Sequence, residues 1–189
     1  MLIKTIFSGF GGQGILSMGQ ILAKAAMLEG KYVTYLPSYG TEVRGGTANC
    51  TVTISDEEIA SPIASEPEFI IAMNQPSFVR FQSLLQSGGF LLYNSSLINP
   101  NSVRGDIEIL GIPLFEIVQE LGSRKVANMV ILGAYIRISN IISIDSIIKN
   151  LPEILGAKKA KLLKENREAM LLGYNYLKEW ENGNKTAFS

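Results

Sequence analysis

The passage from "LIKTIFSGF" through "GGQG" into "ILSMGQILAKAAMLEG" restricts the fold more than any other stretch of the chain. The first run is β-rich and stops at glycine. The last places Ile15, Met18, Leu22 and Ala26 at helical spacing and closes on Gly30 as a C-cap. A strand, a tight loop and a helix follow one another, which is how an α/β sheet begins. "KYVTYLP" reads as the next strand, so the chain up to Pro37 predicts a βαβ unit with its two strands paired in parallel.

The pattern then changes. "TANCTVTIS" alternates, with Cys50, Val52 and Ile54 on one face and Thr51 and Thr53 on the other, which predicts a strand with one solvated or partner-facing side, closed by a turn at "DEEI". Alternation of strand and helix resumes with "EFIIAM", "PSFVRFQSLLQ" with proline at its start, and "FLLYN". "DIEILGI" is a shorter strand, "PLFEIVQELG" a short helix, and "VANMVILGAYIRI" is apolar nearly all round, as a buried helix would be. A last helix carries Leu163, Asn166, Met170, Gly173, Leu177 and Trp180 on one stripe, and "ENGNKTAFS" reads as a frayed tail. The expected fold is a Rossmann-like open α/β sheet, mostly parallel with an antiparallel strand or hairpin, helices on both faces. One domain over residues 1–189 is expected, helical from about residue 113, with no internal repeat or linker.

Composition removes several functions. Of 189 residues 47% are apolar, enough for a real core, and Lys+Arg and Asp+Glu balance at 17 each, so no positive field is available to hold DNA or RNA. Cys50 is the only cysteine and histidine is absent, which rules out disulfides, thiolate-ligated clusters, the usual zinc sites and Ser-His or Cys-His nucleophile pairs made from this chain alone. The N-terminal run is too short for a signal segment and no apolar run approaches the ~20 residues of a spanning helix, so a cytoplasmic protein is expected.

Gly9, Gly11 and Gly14 satisfy G-x-G-x-x-G between strand and helix, where free backbone N–H groups favour an anion. An NAD site would also want an acid near the end of the second strand; "TYLPSYG" stands there instead, which disfavours NAD. Two readings stay open: the glycines only let the helix pack on the sheet, or the loop receives a ligand. Gln13 tilts towards the second, because an exposed amide at a helix N-terminus serves packing poorly. "SYGTEVRGGTAN" adds a Gly-rich loop in which Arg44, beside Gly45, either pairs with a phosphate or carboxylate or with Glu42. Asn74 and Gln75 in "MNQPS" and Asn94, Ser95 and Ser96 in "YNSSL" follow other strands at the same edge, as uncharged groups suited to binding or simply as turn formers. Cys50 is expected in the core and Asn128 as a helix cap.

Taken together, "GFGGQGILSMGQILAKAA", "PSYGTEVRGGTANCTVTISDEEIASP", "IAMNQPS" and "VANMVILGAY" resemble the gamma subunit of 2-oxoacid:ferredoxin oxidoreductases, in order along most of the chain. The likeness is greatest to the 2-oxoglutarate and branched-chain types and less to the pyruvate type. The resemblance implies a multi-subunit enzyme that converts a 2-oxoacid, coenzyme A and oxidised ferredoxin into acyl-CoA, carbon dioxide and reduced ferredoxin. Thiamine diphosphate and the iron–sulfur clusters would belong to alpha, beta and ferredoxin-like delta subunits. This chain would close over the active site and contribute to coenzyme A binding through Gly11, Gly12, Gln13, Gly14, Arg44, Gly45, Asn74, Gln75 and Asn94, with no catalytic residue and no metal of its own. The alternative is a structural or assembly subunit. A homodimer or a partner-binding patch is expected as well, with no nucleic acid and no membrane among its partners.

Overall fold

The computed structural model describes residues 1–39, 47–61, 65–119, 121–156 and 162–183, and the chain divides into two compact units, Met1–Pro113 and Leu114–Ser189.

The first unit is built on a six-stranded sheet. Its strands are β1 (Leu2–Phe10), β2 (Tyr32–Tyr39), β3 (Thr47–Ser55), β4 (Phe69–Ala72), β5 (Phe90–Asn94) and β6 (Glu108–Ile112), in the order β2-β3-β1-β4-β5-β6. The pairs β1–β4, β4–β5 and β5–β6 are parallel, while β3 runs antiparallel to both β1 and β2. The fold is thus the expected mostly parallel open sheet with one antiparallel strand. The expected parallel pairing of the first two strands does not form, because β3 lies between them. The connection from β2 to β3 is short, and a short connection can only join antiparallel neighbours, whereas β1 and β2 are separated by a helix.

Cross-strand register explains the burial. Phe7 pairs with Cys50 and Thr5 with Val52, which sets these side chains on one face under α1 (Ile15–Leu28). A Cβ added to Gly19 of α1 would lie 2.5 Å from Cys50 Sγ and 3.3 Å from Val52 Cγ2, so glycine is what lets the helix approach this closely. On the other face Ile6, Ile70, Ala72, Leu91 and Tyr93 pack against Phe78 and Phe81 of α2 (Gln75–Phe81), with Leu85 and Ile98. The two helices therefore cover opposite faces, and β1 between them buries side chains both ways. Thr53 corrects the reading of β3. With β1 on one side and β2 on the other, β3 is an interior strand, and Thr53 is buried instead of solvated, its hydroxyl without a hydrogen-bond partner.

The second unit is helical: α3 (Leu114–Gln119), α4 (Ala127–Ser139), α5 (Ile144–Leu155) and α6 (Leu163–Gly183). α4 is buried nearly all round, as its composition requires. It packs on α6 through two glycines. A Cβ on Gly133 would collide with the Met170 carbonyl and one on Gly173 with the Val130 carbonyl, so the two backbones cross at contact distance. Asn166, Met170, Gly173 and Leu177 form the buried stripe of α6; the side chain of Trp180 is outside the described residues. Asn128 is not the cap of α4: it lies inside the first turn, and Val126 holds the cap position without a side-chain bond.

Candidate functional site

Because β1, β4, β5 and β6 are parallel and β2 shares their direction, the loops after β1, β4 and β5 leave from one edge of the sheet, where β2 also ends. Between β1 and β4 the chain diverges. β1 leads through α1 towards β2, and β4 leads through α2 to β5 on the other side, which makes this the topological switch point where open α/β sheets receive ligands.

The glycine loop is shaped by backbone requirements. Gly12 has φ +95° and Gly14 φ +78°, both in the left-handed region, and the Gln13 N–H donates to the Phe10 carbonyl at 3.1 Å to close the turn. Gly14 is the N-cap of α1 and offers no side chain, and no acidic residue lies in the first turn. The N–H groups at the start of α1 thus have no side-chain acceptor. They face a cleft of about 330 Å³ lined by Phe10, Gly11, Gly12, Gly14, Ile15, Leu16, Ser17 and Ala48. No charged side chain lines it among the described residues, so its chemistry is that of backbone donors and one hydroxyl, an arrangement suited to an anion. Arg44 and Gly45 lie outside the described residues. A larger cleft, about 620 Å³ and lined by Lys4, Glu57, Glu58 and neighbours, sits at the opposite edge, away from the switch point.

Gln13 corrects its expected role as an exposed amide. Its Oε1 accepts from the Phe10 N–H at 2.7 Å and from Asn74 Nδ2 at 3.2 Å, and its Nε2 donates to the Met73 carbonyl at 3.2 Å. Its side chain ties the loop after β1 to the loop after β4. Asn74 is buried and caps α2, its Oδ1 accepting from the Ser77 N–H at 2.9 Å. Gln75 Oε1 accepts from the Asn99 N–H, and Asn94 Oδ1 from the Ser96 N–H. Asn94 is 1% exposed and its Nδ2 has no partner. The structure therefore brings Gln13 and Asn74 together, directs Gln75 to Asn99 in the loop after β5, and turns Asn94 into the protein. Two residues were missed from the sequence. Ser17 lines the cleft one turn into α1, and nothing but its helical position signals it. Gly9 was read only as part of the fingerprint, yet a Cβ there would lie 2.6 Å from Ile15 Cδ1 and 2.7 Å from Gln13 Oε1.

Cys50 sits behind the site and donates to the Ile15 carbonyl at 3.6 Å; burial pushes its thiol up to about 12. It is a core residue, without a thiolate near neutral pH. Among the described residues no cluster of His, Cys, Asp or Glu could hold a metal ion, and no helix is long and apolar enough to cross a membrane.

An open α/β sheet with a glycine loop, an uncapped helix start and a polar switch point places the chain in the class of open, mostly parallel α/β domains. Residues 4–176 match the pyruvate ferredoxin/flavodoxin oxidoreductase family, and the chain belongs to it. It is 41% identical over 131 residues to the ketoisovalerate oxidoreductase subunit VorA of Methanothermobacter thermautotrophicus, covering 69% of this chain but only 27% of that one. The chain thus spans about a quarter of the length of that relative. Along nearly its whole length it is similar to the 2-oxoglutarate synthase subunit KorC of Methanocaldococcus jannaschii, 35% identical over 91% of this chain and 92% of that one. Its structure resembles the gamma subunit of a keto/oxoacid ferredoxin oxidoreductase from Geobacter sulfurreducens PCA, with TM-score 0.77 and 28% identity over 92% of this chain and 96% of that one. It also resembles part of the 2-oxoglutarate:ferredoxin oxidoreductase from Magnetococcus marinus solved with 2-oxoglutarate, coenzyme A and succinyl-CoA bound. There the TM-score is 0.85 with 25% identity over 94% of this chain and 31% of that one.

Proposed function

We propose that the chain is the gamma subunit of a multi-subunit 2-oxoacid:ferredoxin oxidoreductase, acting on 2-oxoglutarate or a branched-chain 2-oxoacid. The observation that carries this reading is the match to a separate 2-oxoglutarate synthase subunit over nine-tenths of both chains. Within the complex, alpha and beta subunits and a ferredoxin-like delta subunit supply thiamine diphosphate and the iron–sulfur clusters, and the assembly works in the cytoplasm. This chain has no histidine and a single buried cysteine, so its own contribution is binding and enclosure. The ligand assigned to it is coenzyme A, whose phosphates suit the N–H groups around Gly11, Gly12 and Gly14 at the start of α1. Arg44, next to Gly45, adds a charge-assisted contact, and Asn74, Gln75 and Asn94 order the neighbouring loops.

Arg44→Ala in the assembled complex tests the assignment. Loss of such a contact, worth roughly 1.5–3 kcal/mol, raises the KM for coenzyme A by about one to two powers of ten. Lysine restores it only in part, since it cannot make a bidentate contact. An intact complex with unchanged coenzyme A kinetics supports the second reading, a subunit for assembly alone. Turnover of 2-oxoglutarate against 3-methyl-2-oxobutanoate by the complex decides the substrate.

A further inference from the structure

Residues 10, 11, 12, 14, 15, 16 and 17 all line the cleft at the start of α1, and Gln13 alone among residues 10–17 does not. Its side chain leaves from the back of the loop and spends its amide inside the protein. The polarity of the network is self-consistent. Phe10 N–H and Asn74 Nδ2 can only donate, so the atom between them must be the amide oxygen; the Met73 carbonyl can only accept, so the atom facing it must be the nitrogen. Asn74 is held in its own orientation because its Oδ1 accepts from the Ser77 N–H. Only an amide of this length satisfies all three bonds.

The clasp joins the two segments just beyond the last backbone bond between their strands, from the Met73 N–H to the Ser8 carbonyl at 2.9 Å. The loop after β1 runs into α1 on one face of the sheet, and the loop after β4 runs into α2 on the other. At a switch point such loops diverge and leave a crevice. Here the amide of Gln13 bridges the two loops, bonded to the Met73 carbonyl and to Asn74 at the N-cap of α2. Gly9 makes room for it, since any Cβ there would press on Gln13 Oε1.

We infer that Gln13 is a positioning residue: it holds the glycine loop from behind in the shape that presents the cleft's N–H groups to an anionic ligand, and does not touch that ligand itself. This rests on the reading of the cleft as a coenzyme A contact. Anion recognition by backbone N–H groups depends on their convergence, which the loop alone, with glycine at 11, 12 and 14, does not enforce.

The test compares wild type with Gln13→Met, which keeps the length and removes the amide, and Gln13→Glu, which keeps both accepted bonds but sets a charged oxygen against the Met73 carbonyl in place of the donor. In the assembled complex Gln13→Met is expected to raise the KM for coenzyme A about tenfold or more, with kcat at saturating coenzyme A and the KM for the 2-oxoacid within about threefold of wild type. Gln13→Glu should raise the coenzyme A KM at least as much, since its charge opposes both the Met73 carbonyl and an anion in the cleft. On the chain alone, hydrogen exchange at the Phe10 amide should accelerate about tenfold in Gln13→Met, with the amides of α1 beyond Ala23 unchanged. A normal coenzyme A KM for Gln13→Met in an active complex overturns the inference, as does an equal loss in kcat and both KM values, or unaltered exchange at Phe10. If the wild-type complex shows no coenzyme A-dependent 2-oxoacid oxidation at all, the functional reading fails instead, and the exchange measurement still decides whether the clasp holds the loop.

Discussion

Gly9→Ala is the perturbation that most directly probes how the glycine loop is built. The backbone at Gly9 lies in β1 and is not left-handed, so alanine meets no conformational penalty there and its whole cost is steric. Its Cβ would stand 2.6 Å from Ile15 Cδ1, 2.7 Å from Gln13 Oε1 and 3.0 Å from Met73 Cβ. Ile15 can swing its terminal methyl aside, but it is buried, and overpacking of this kind costs about 1–3 kcal/mol. Gln13 Oε1 must retreat by several tenths of an ångström and weakens the two bonds it accepts, each worth about 0.5–1.5 kcal/mol. Alanine recovers about 0.4–1 kcal/mol by stiffening the unfolded chain. The net expectation is a loss of about 2–4 kcal/mol, read as a fall in Tm of roughly 5–15 °C for a chain of this size. Urea and thermal unfolding should be compared with Gly105→Ala, where an added Cβ meets nothing within 4 Å and which should gain only the about 0.4–1 kcal/mol that alanine brings through the unfolded chain. In a Gln13→Ala background the cost of Gly9→Ala should shrink, because the oxygen it displaces is gone. Wild-type stability for Gly9→Ala, or fully additive losses in the double variant, would refute this account of the loop.

Gly133→Ala should destabilise the helical unit by about 2–4 kcal/mol in urea unfolding, although helix propensity alone favours alanine by about 1 kcal/mol, because its Cβ falls on the Met170 carbonyl. A stabilised variant would show that α4 and α6 do not cross there. Cys50 should resist a thiol reagent such as DTNB in the native chain at pH 8 and react promptly once denatured, since burial pushes its thiol up to about 12; fast native labelling would contradict its place beneath Gly19. Hydrogen bonds from Lys31 to Asp56 and from Arg104 to Asp106 hold both carboxyls below the usual carboxylate range. Depressed folded values mean that their contribution to stability is present above the unfolded pKa of about 4 and is lost as pH falls through the folded value. Asp106→Asn should therefore lower stability at neutral pH and flatten the acid limb below about pH 4, and an unchanged limb would remove Asp106 from that account.

What the sequence made legible and what it hid divide along the range of the interactions. Ile15, Met18, Leu22 and Ala26 announce a helix because their spacing is local, and all four are buried where that spacing puts them. The requirement for left-handed backbone at Gly12 and Gly14 is equally local. Strand order is not. "KYVTYLP" looks like the parallel partner of β1 until β3 is seen to occupy that place, and Thr53 alternates as a residue of the solvated or partner-facing side yet is buried. Gln13 stands out in the sequence as an exposed amide at a helix start, which points to a ligand, whereas in the structure the amide is spent on protein partners, two of them distant in the chain. Those partners, Met73 and Asn74, lie some sixty residues away and leave no trace in the pattern around it. The insertion of β3 also changes the argument for Arg44. Seen as the residue after a neighbouring parallel strand, it was to reach the glycine loop directly from β2. With β3 between, β2 ends two strand spacings from β1, about 9–10 Å. The tether from the other side is shorter. Arg44 is three residues before Thr47, and Thr47 is the residue that pairs with Phe10 at the mouth of the cleft. Three residues of extended chain cover at most about 10–11 Å. The proposed contact of Arg44 with an anion in that cleft is therefore governed by the start of β3, so lengthening the chain between Arg44 and Thr47 should weaken coenzyme A in the complex, while an equal insertion between Tyr39 and Glu42 should be tolerated.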